Sequence, residues 1–89
     1  MQESNSSGQP KVVVFTQPGC PPCHVVTTFL SERGIVFEER DVSNDPAAVR
    51  DLTQKYKSRS TPTLVIGPPT SEEVMIGFDP DRLDLLLGR

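Results

Sequence analysis

The sequence predicts an α/β domain whose elements run β-α-β-α-β-β-α around one mixed four-stranded sheet flanked by helices. Three observations predict it. Short β-branched runs alternate with amphipathic segments of helical spacing along most of the chain. Asp-Pro pairs at 45–46 and 79–80 each give the cap-plus-proline signature of a helix start. Two apolar runs late in the chain are separated only by turn residues 67–71, so an antiparallel hairpin follows a parallel βαβ half.

The elements follow in order. Residues 1–10, MQESNSSGQP, carry no apolar run and read as a flexible N-terminal tail, since such a segment cannot offset its ordering entropy by burial. Residues 11–89 then form one domain, small enough to have a thin core. Lys11 to Thr16, KVVVFT, fits a buried central strand, and Gly19-Cys20-Pro21-Pro22 a turn. From about Pro22 to Arg33, Val26, Phe29 and Leu30 fall at helical spacing, with Gly34 in the C-cap position. Ile35 to Val42 reads as a second strand, parallel to the first through a right-handed crossover. Asp45 caps a second helix with Pro46 at its first position and Val49, Leu52 and Tyr56 as its apolar stripe. After a polar loop at 57–60, Thr61-Pro62-Thr63 leads into a third strand at Leu64–Ile66. Gly67 to Ser71 turns the chain into a fourth, edge strand at Glu72–Ile76. Gly77-Phe78 breaks that strand. Asp79-Pro80 then starts a last helix whose inner face is Leu83, Leu86 and Leu87, ending at Gly88.

Charge and composition exclude several classes. The 89-residue chain has nine Lys+Arg against twelve Asp+Glu, a net charge of −3, without a basic cluster. With one Tyr and no Trp it offers few rings for base stacking, so nucleic acid is not an expected partner. No apolar run approaches the roughly 20 residues of a membrane span, and the first residues lack the core of a secretory signal. A cytoplasmic, monomeric protein is the expectation.

The chemistry lies in Cys20 and Cys23, the only two cysteines. A disulfide across so short a loop stabilises a fold little, so a structural staple explains the pair poorly. Zinc needs four ligands, and only His24 is near, pointing about 100° away around a helix. No metal site is expected. Placed between a β-branched strand and an amphipathic helix, the pair signals redox chemistry. Its i, i+3 spacing puts both sulfurs on one helix face. Cys20 stands at the helix N-terminus, where free N–H groups and the helix dipole favour a thiolate, so it is the expected nucleophile. Cys23, one turn in and less exposed, is the expected resolving thiol. Pro21 and Pro22 have no N–H, which leaves the Cys23 N–H as the main local donor to the Cys20 sulfur. Because Pro22 disfavours helical geometry at Pro21, regular helix is expected to start a residue late. His24 reads as an exposed polar residue ahead of a group tuning the thiols.

Residues 12–88 resemble the glutaredoxin family, within the thioredoxin superfamily. The resemblance is carried by VVVFTQPGCPPC at 12–23, STP at 60–62 and GFDPDRL at 77–83, in the right order and spacing. It implies a thioredoxin-like fold with sheet order 2-1-3-4 and a cis peptide at Thr61-Pro62 facing the cysteines. A cis Pro62 would leave the Thr61 backbone free to pair with an extended substrate chain. The resemblance also implies substrate or glutathione-binding positions at Gln17, Arg59, Thr61, Pro62, Gly77, Phe78 and Asp81. Two depart from the glutathione pattern: Gln17 lacks the usual positive charge, and Phe78 replaces a glycine. Both weaken a glutathione site.

GFDPD is similar to the glutaredoxin-like redoxins that serve ribonucleotide reductase and are reduced by thioredoxin reductase, although Pro-Pro between the cysteines departs from them. The implied function is a dithiol–disulfide oxidoreductase acting on protein disulfides or glutathione mixed disulfides, with no tightly bound cofactor and thioredoxin reductase as reductant. The alternatives are a glutathione-dependent glutaredoxin, with glutathione as co-substrate, and an iron–sulfur cluster-binding one, against which Pro21 weighs. Implied partners are disulfide-bearing proteins, ribonucleotide reductase among them.

Overall fold

Strand β1 (Val12–Thr16) is the centre of the molecule, and its alternating side chains explain the layers. Val12 and Val14 point to one face and Phe15 to the other, and all are buried. A strand covered on both faces has to be apolar throughout, which is why VVVF carries no charge. The computed structural model describes residues 10–68 and 70–87. The expected tail, except Pro10, lies outside the described residues, as do Pro69 of the late turn and Gly88, the expected helix end.

The remaining elements are α1 (Pro21–Glu32), β2 (Glu38–Asp41), α2 (Pro46–Arg50) running on into a π-helical stretch (Asp51–Lys55), β3 (Thr63–Ile66), β4 (Glu73–Ile76) and α3 (Pro80–Leu86). The sheet order is β2-β1-β3-β4, with β1 parallel to β2 and antiparallel to β3, and β3 antiparallel to β4. This is the α/β architecture and strand order implied by the resemblance. Leu64, Ile66 and Met75 join Val12 and Val14 beneath α1 and α3, against Val26, Leu30 and Leu83. Val65 joins Phe15 on the opposite face, against Ala48 and Leu52 of the α2 segment. Among the described residues, no helix is long and apolar enough to cross a membrane.

Three local expectations are corrected. The second strand is shorter than residues 35–42, because Ile35 closes the preceding helix instead. Gly34, at φ +70°, donates to the Ser31 carbonyl (3.1 Å), and the Ile35 N–H reaches back to Leu30 (3.0 Å). This is a Schellman motif, whose apolar contact is Ile35 with Leu30 in the core. Val36 is exposed, and β2 is the charged edge strand EERD. The second helix buries Ala48 and Leu52, while Val49 faces outward. Arg40 of β2 sets that orientation, donating to Asp51 (2.7 Å) and lying 3.7 Å from Asp45, and small Ala48 lets the helix approach the sheet. Finally, α1 begins at Pro21, with both prolines in its first turn, where missing N–H groups leave no carbonyl unpaired.

Candidate active site

Two loops meet at the end of the sheet where β1 stops and β3 begins. The first leaves β1 through residues 17–19, with Gly19 in the left-handed region at φ +72°. It delivers Cys20 as the N-cap of α1, with extended backbone at φ −111° and ψ 93°. The Cys20 sulfur occupies the place of an N-cap oxygen and accepts the Cys23 N–H at 3.2 Å. The prolines leave that N–H as the local donor, as their chemistry requires. Cys23 is buried and Cys20 half-buried, and the two form a disulfide with their Cα atoms 5.3 Å apart.

The second loop carries a cis peptide between Thr61 and buried Pro62. The Pro62 carbonyl accepts the Gly77 N–H at 2.9 Å, which ties this loop to the end of β4. Gly77 has φ +89°, a conformation that suits glycine. The Thr61 hydroxyl donates to the Cys20 sulfur at 3.6 Å. Among the described residues the Thr61 N–H and C=O make no backbone hydrogen bond.

The structure therefore brings together Cys20, Cys23, Thr61, Pro62 and Gly77. Gln17, Arg59 and Asp81 are exposed, and among the described residues none is hydrogen-bonded to the cysteine pair. Phe78 turns inward: its ring meets Phe29 edge-on at 5.2 Å and packs on the core, while the Arg33 guanidinium lies 3.9 Å over Phe29. His24 is exposed, and its backbone N–H donates to the Cys20 carbonyl at 3.2 Å.

Sequence reasoning missed three hydroxyls. It valued Thr61 for its backbone and read past Ser58 and Thr63, which are buried and hydrogen-bonded to one another at 2.8 Å. A signal existed. Thr63 shares strand parity with Val65, which places it on a buried face.

Comparisons with known proteins agree with this geometry. The family model described as Glutaredoxin matches residues 12–68. N-acetyl-S-hydroxy-L-cysteine reductase of Bacillus subtilis (strain 168) is 34% identical over 77 residues, covering 85% of this chain and 82% of that protein. The crystal structure of the thioredoxin-like protein BC3987 is 45% identical with a TM-score of 0.77, covering 85% of this chain and 99% of the other. NrdH-redoxin from Escherichia coli, described as a glutaredoxin-like protein with a thioredoxin-like activity profile, is 26% identical with a TM-score of 0.72, covering 85% of this chain and 93% of the other.

Proposed function

Because this chain belongs to the glutaredoxin family and is a thiol–disulfide oxidoreductase with a thioredoxin-like fold, we propose that it passes two electrons from a cytoplasmic reductase to oxidised protein thiols through Cys20 and Cys23. The observation that carries this reading is the Cys20 sulfur capping α1, hydrogen-bonded by the Cys23 N–H and facing the Thr61 hydroxyl. Two donors and a helix N-terminus favour an anion at that sulfur.

In the reduced protein the Cys20 thiolate attacks one sulfur of a substrate disulfide. The substrate S–S bond breaks, the departing thiolate takes up a proton, and a mixed disulfide with Cys20 remains. Cys23 then loses its proton and attacks the Cys20 sulfur, which releases the second substrate thiol and leaves the Cys20–Cys23 disulfide. An extended substrate chain pairs with the Thr61 N–H and C=O beside the reacting sulfur.

We assign reduction of the disulfide to thioredoxin reductase. Gln17 offers no charge to a glutathione carboxylate, and Phe78 stands where glutathione-dependent relatives carry glycine. The thioredoxin-like activity profile named for NrdH-redoxin supports the same choice. Ribonucleotide reductase is the partner class that the redoxin-like GFDPD stretch suggests. The name of the Bacillus relative favours a second substrate class, a small S-hydroxylated thiol. There the Cys20 thiolate would attack the sulfur of the S–OH group, the S–O bond would break with the departing hydroxide taking up a proton to leave as water, and Cys23 would resolve the mixed disulfide.

An assay coupled to NADPH decides the reductant. Thioredoxin reductase should drive steady turnover, while glutathione with glutathione reductase should drive little; the reverse ratio overturns the assignment. Cys20→Ser should abolish turnover on every substrate. Cys23→Ser should lose turnover yet trap the substrate as a mixed disulfide on Cys20, detected by mass, whereas Cys20→Ser should trap none. Absence of that adduct in Cys23→Ser would refute the division of labour.

A further inference from the structure

Behind the cis-proline turn, three hydrogen bonds close a ring through the backbone of Ser60. Ser58 and Thr63 are 2% and 0% exposed. The Ser60 N–H donates to Ser58 Oγ at 3.3 Å, Ser58 Oγ lies 2.8 Å from Thr63 Oγ1, and Thr63 Oγ1 donates to the Ser60 carbonyl at 2.7 Å. Counting protons orients the ring. A carbonyl only accepts, so Thr63 commits its single hydroxyl proton to Ser60, and Ser58 must donate to Thr63. The longer 3.4 Å approach of Ser58 Oγ to the same carbonyl is then secondary. Every hydroxyl in the ring both donates and accepts, which offsets the desolvation of two buried polar groups.

The ring is anchored on both sides. The Ser58 N–H donates to the Leu52 carbonyl at 2.9 Å, and Thr63 is paired in the sheet opposite Phe15 and Ile76. Both polar groups of the Ser60 backbone are thus held by fixed partners. The Ser60–Thr61 peptide is trans. Its carbonyl and the Thr61 N–H therefore point in opposite directions. Drawing the carbonyl inward onto Thr63 turns the Thr61 N–H away from the interior and fixes the stem from which the Thr61 hydroxyl reaches the sulfur.

We propose that Ser58 and Thr63 are positioning residues for the redox reaction: their paired buried hydroxyls hold the Ser60–Thr61 peptide so that Thr61 stays aimed at Cys20. The inference rests on the reading of Cys20 as the nucleophile. Neither hydroxyl bonds a sulfur. Both act through Thr61, whose hydrogen bond favours the thiolate after reduction.

The test is the pH dependence of iodoacetamide alkylation at Cys20 in the reduced full-length chain, with the labelled residue identified by mass. Thr61→Val and Thr63→Val should each slow labelling near pH 6 by roughly three- to tenfold, the range of an ordinary intramolecular hydrogen bond. The titration curves should move to higher pH. The double variant should match Thr61→Val alone, and Thr63→Ser should restore the parent curve. Circular dichroism establishes folding, and Ser58→Ala replaces Thr63→Val under the same criteria if the latter does not fold. The positioning role is overturned if Thr63→Val and Ser58→Ala titrate like the parent while Thr61→Val shifts; the nucleophile reading then survives. A parent chain whose Cys20 labels like an ordinary free cysteine defeats the proposed function itself, and this inference with it.

Discussion

Arg40 ties the charged edge strand to the second helix, and its effect is legible in the groups around it. Its hydrogen bond to Asp51 holds that carboxyl below the usual carboxylate range, and the Ser43 hydroxyl and N–H do the same for Asp41. A carboxyl whose folded value is depressed contributes stability above its unfolded value, about pH 4, and loses it as pH falls through the folded value. Melting followed from pH 6 to pH 2.5 should therefore show the parent losing more than Asp51→Asn. The two melting temperatures should converge at the acid end, and parallel curves would refute the assignment. Lys57 is the single non-glycine residue with positive φ among the described residues, at +58°. Lys57→Gly should raise stability by about 0.5–1 kcal/mol, the left-handed penalty less the extra chain entropy of glycine. Urea unfolding measures it, and a loss of stability would mean that the Lys57 side chain contributes more than the backbone conformation.

At the scale of elements, caps and proline positions decide where helices start. Asp45 and Asp79 accept the N–H groups of Ala47 and Arg82, at 3.0 and 3.2 Å, as their sequence signatures predict. Cys20 uses the same geometry with sulfur in place of oxygen, so the strongest chemical signal in the chain is also a capping interaction. Helix α3 is short and is docked by Leu83, fully buried, with Leu86 and Leu87 packed beside it. Seven residues have little intrinsic helical stability, so docking maintains the helix. Leu83→Ala should cost about 2–5 kcal/mol, read from the urea midpoint. An effect below about 1 kcal/mol would show that the neighbouring leucines suffice.

For the whole molecule, the two apolar layers share one sheet, since β1 and β3 contribute side chains to both. They should therefore unfold as one unit. Tyr56 is the only tyrosine and the chain has no tryptophan, so intrinsic fluorescence reports only the layer beneath α2, where Tyr56 meets Phe15 at 5.8 Å. Far-ultraviolet circular dichroism reports every element. Thermal transitions followed by the two signals should coincide in oxidised and in reduced protein, because the disulfide spans one helical turn and belongs to neither layer. Separate midpoints would show that the layers melt independently.

The sequence alone determined the element order and the cysteine pair, because each rests on local information: periodicity, caps, turn residues and the spacing of two sulfurs; the strand order was legible only through the family resemblance carried by three motifs. Tertiary structure decided the rest. Whether Ile35 extended a strand or closed a helix, and whether Ala48 or Val49 faced the sheet, depended on neighbours distant in the chain: Ile35 joins a core built with Val12, Leu64 and Leu83, and Ala48 one built with Phe15 and Val65. The inward turn of Phe78 and the hydroxyl of Thr61 at the Cys20 sulfur belong to the same class. Such contacts join residues as far apart in the chain as Phe29 and Phe78, and no local pattern encodes which side chain will fill the space that the sheet brings together.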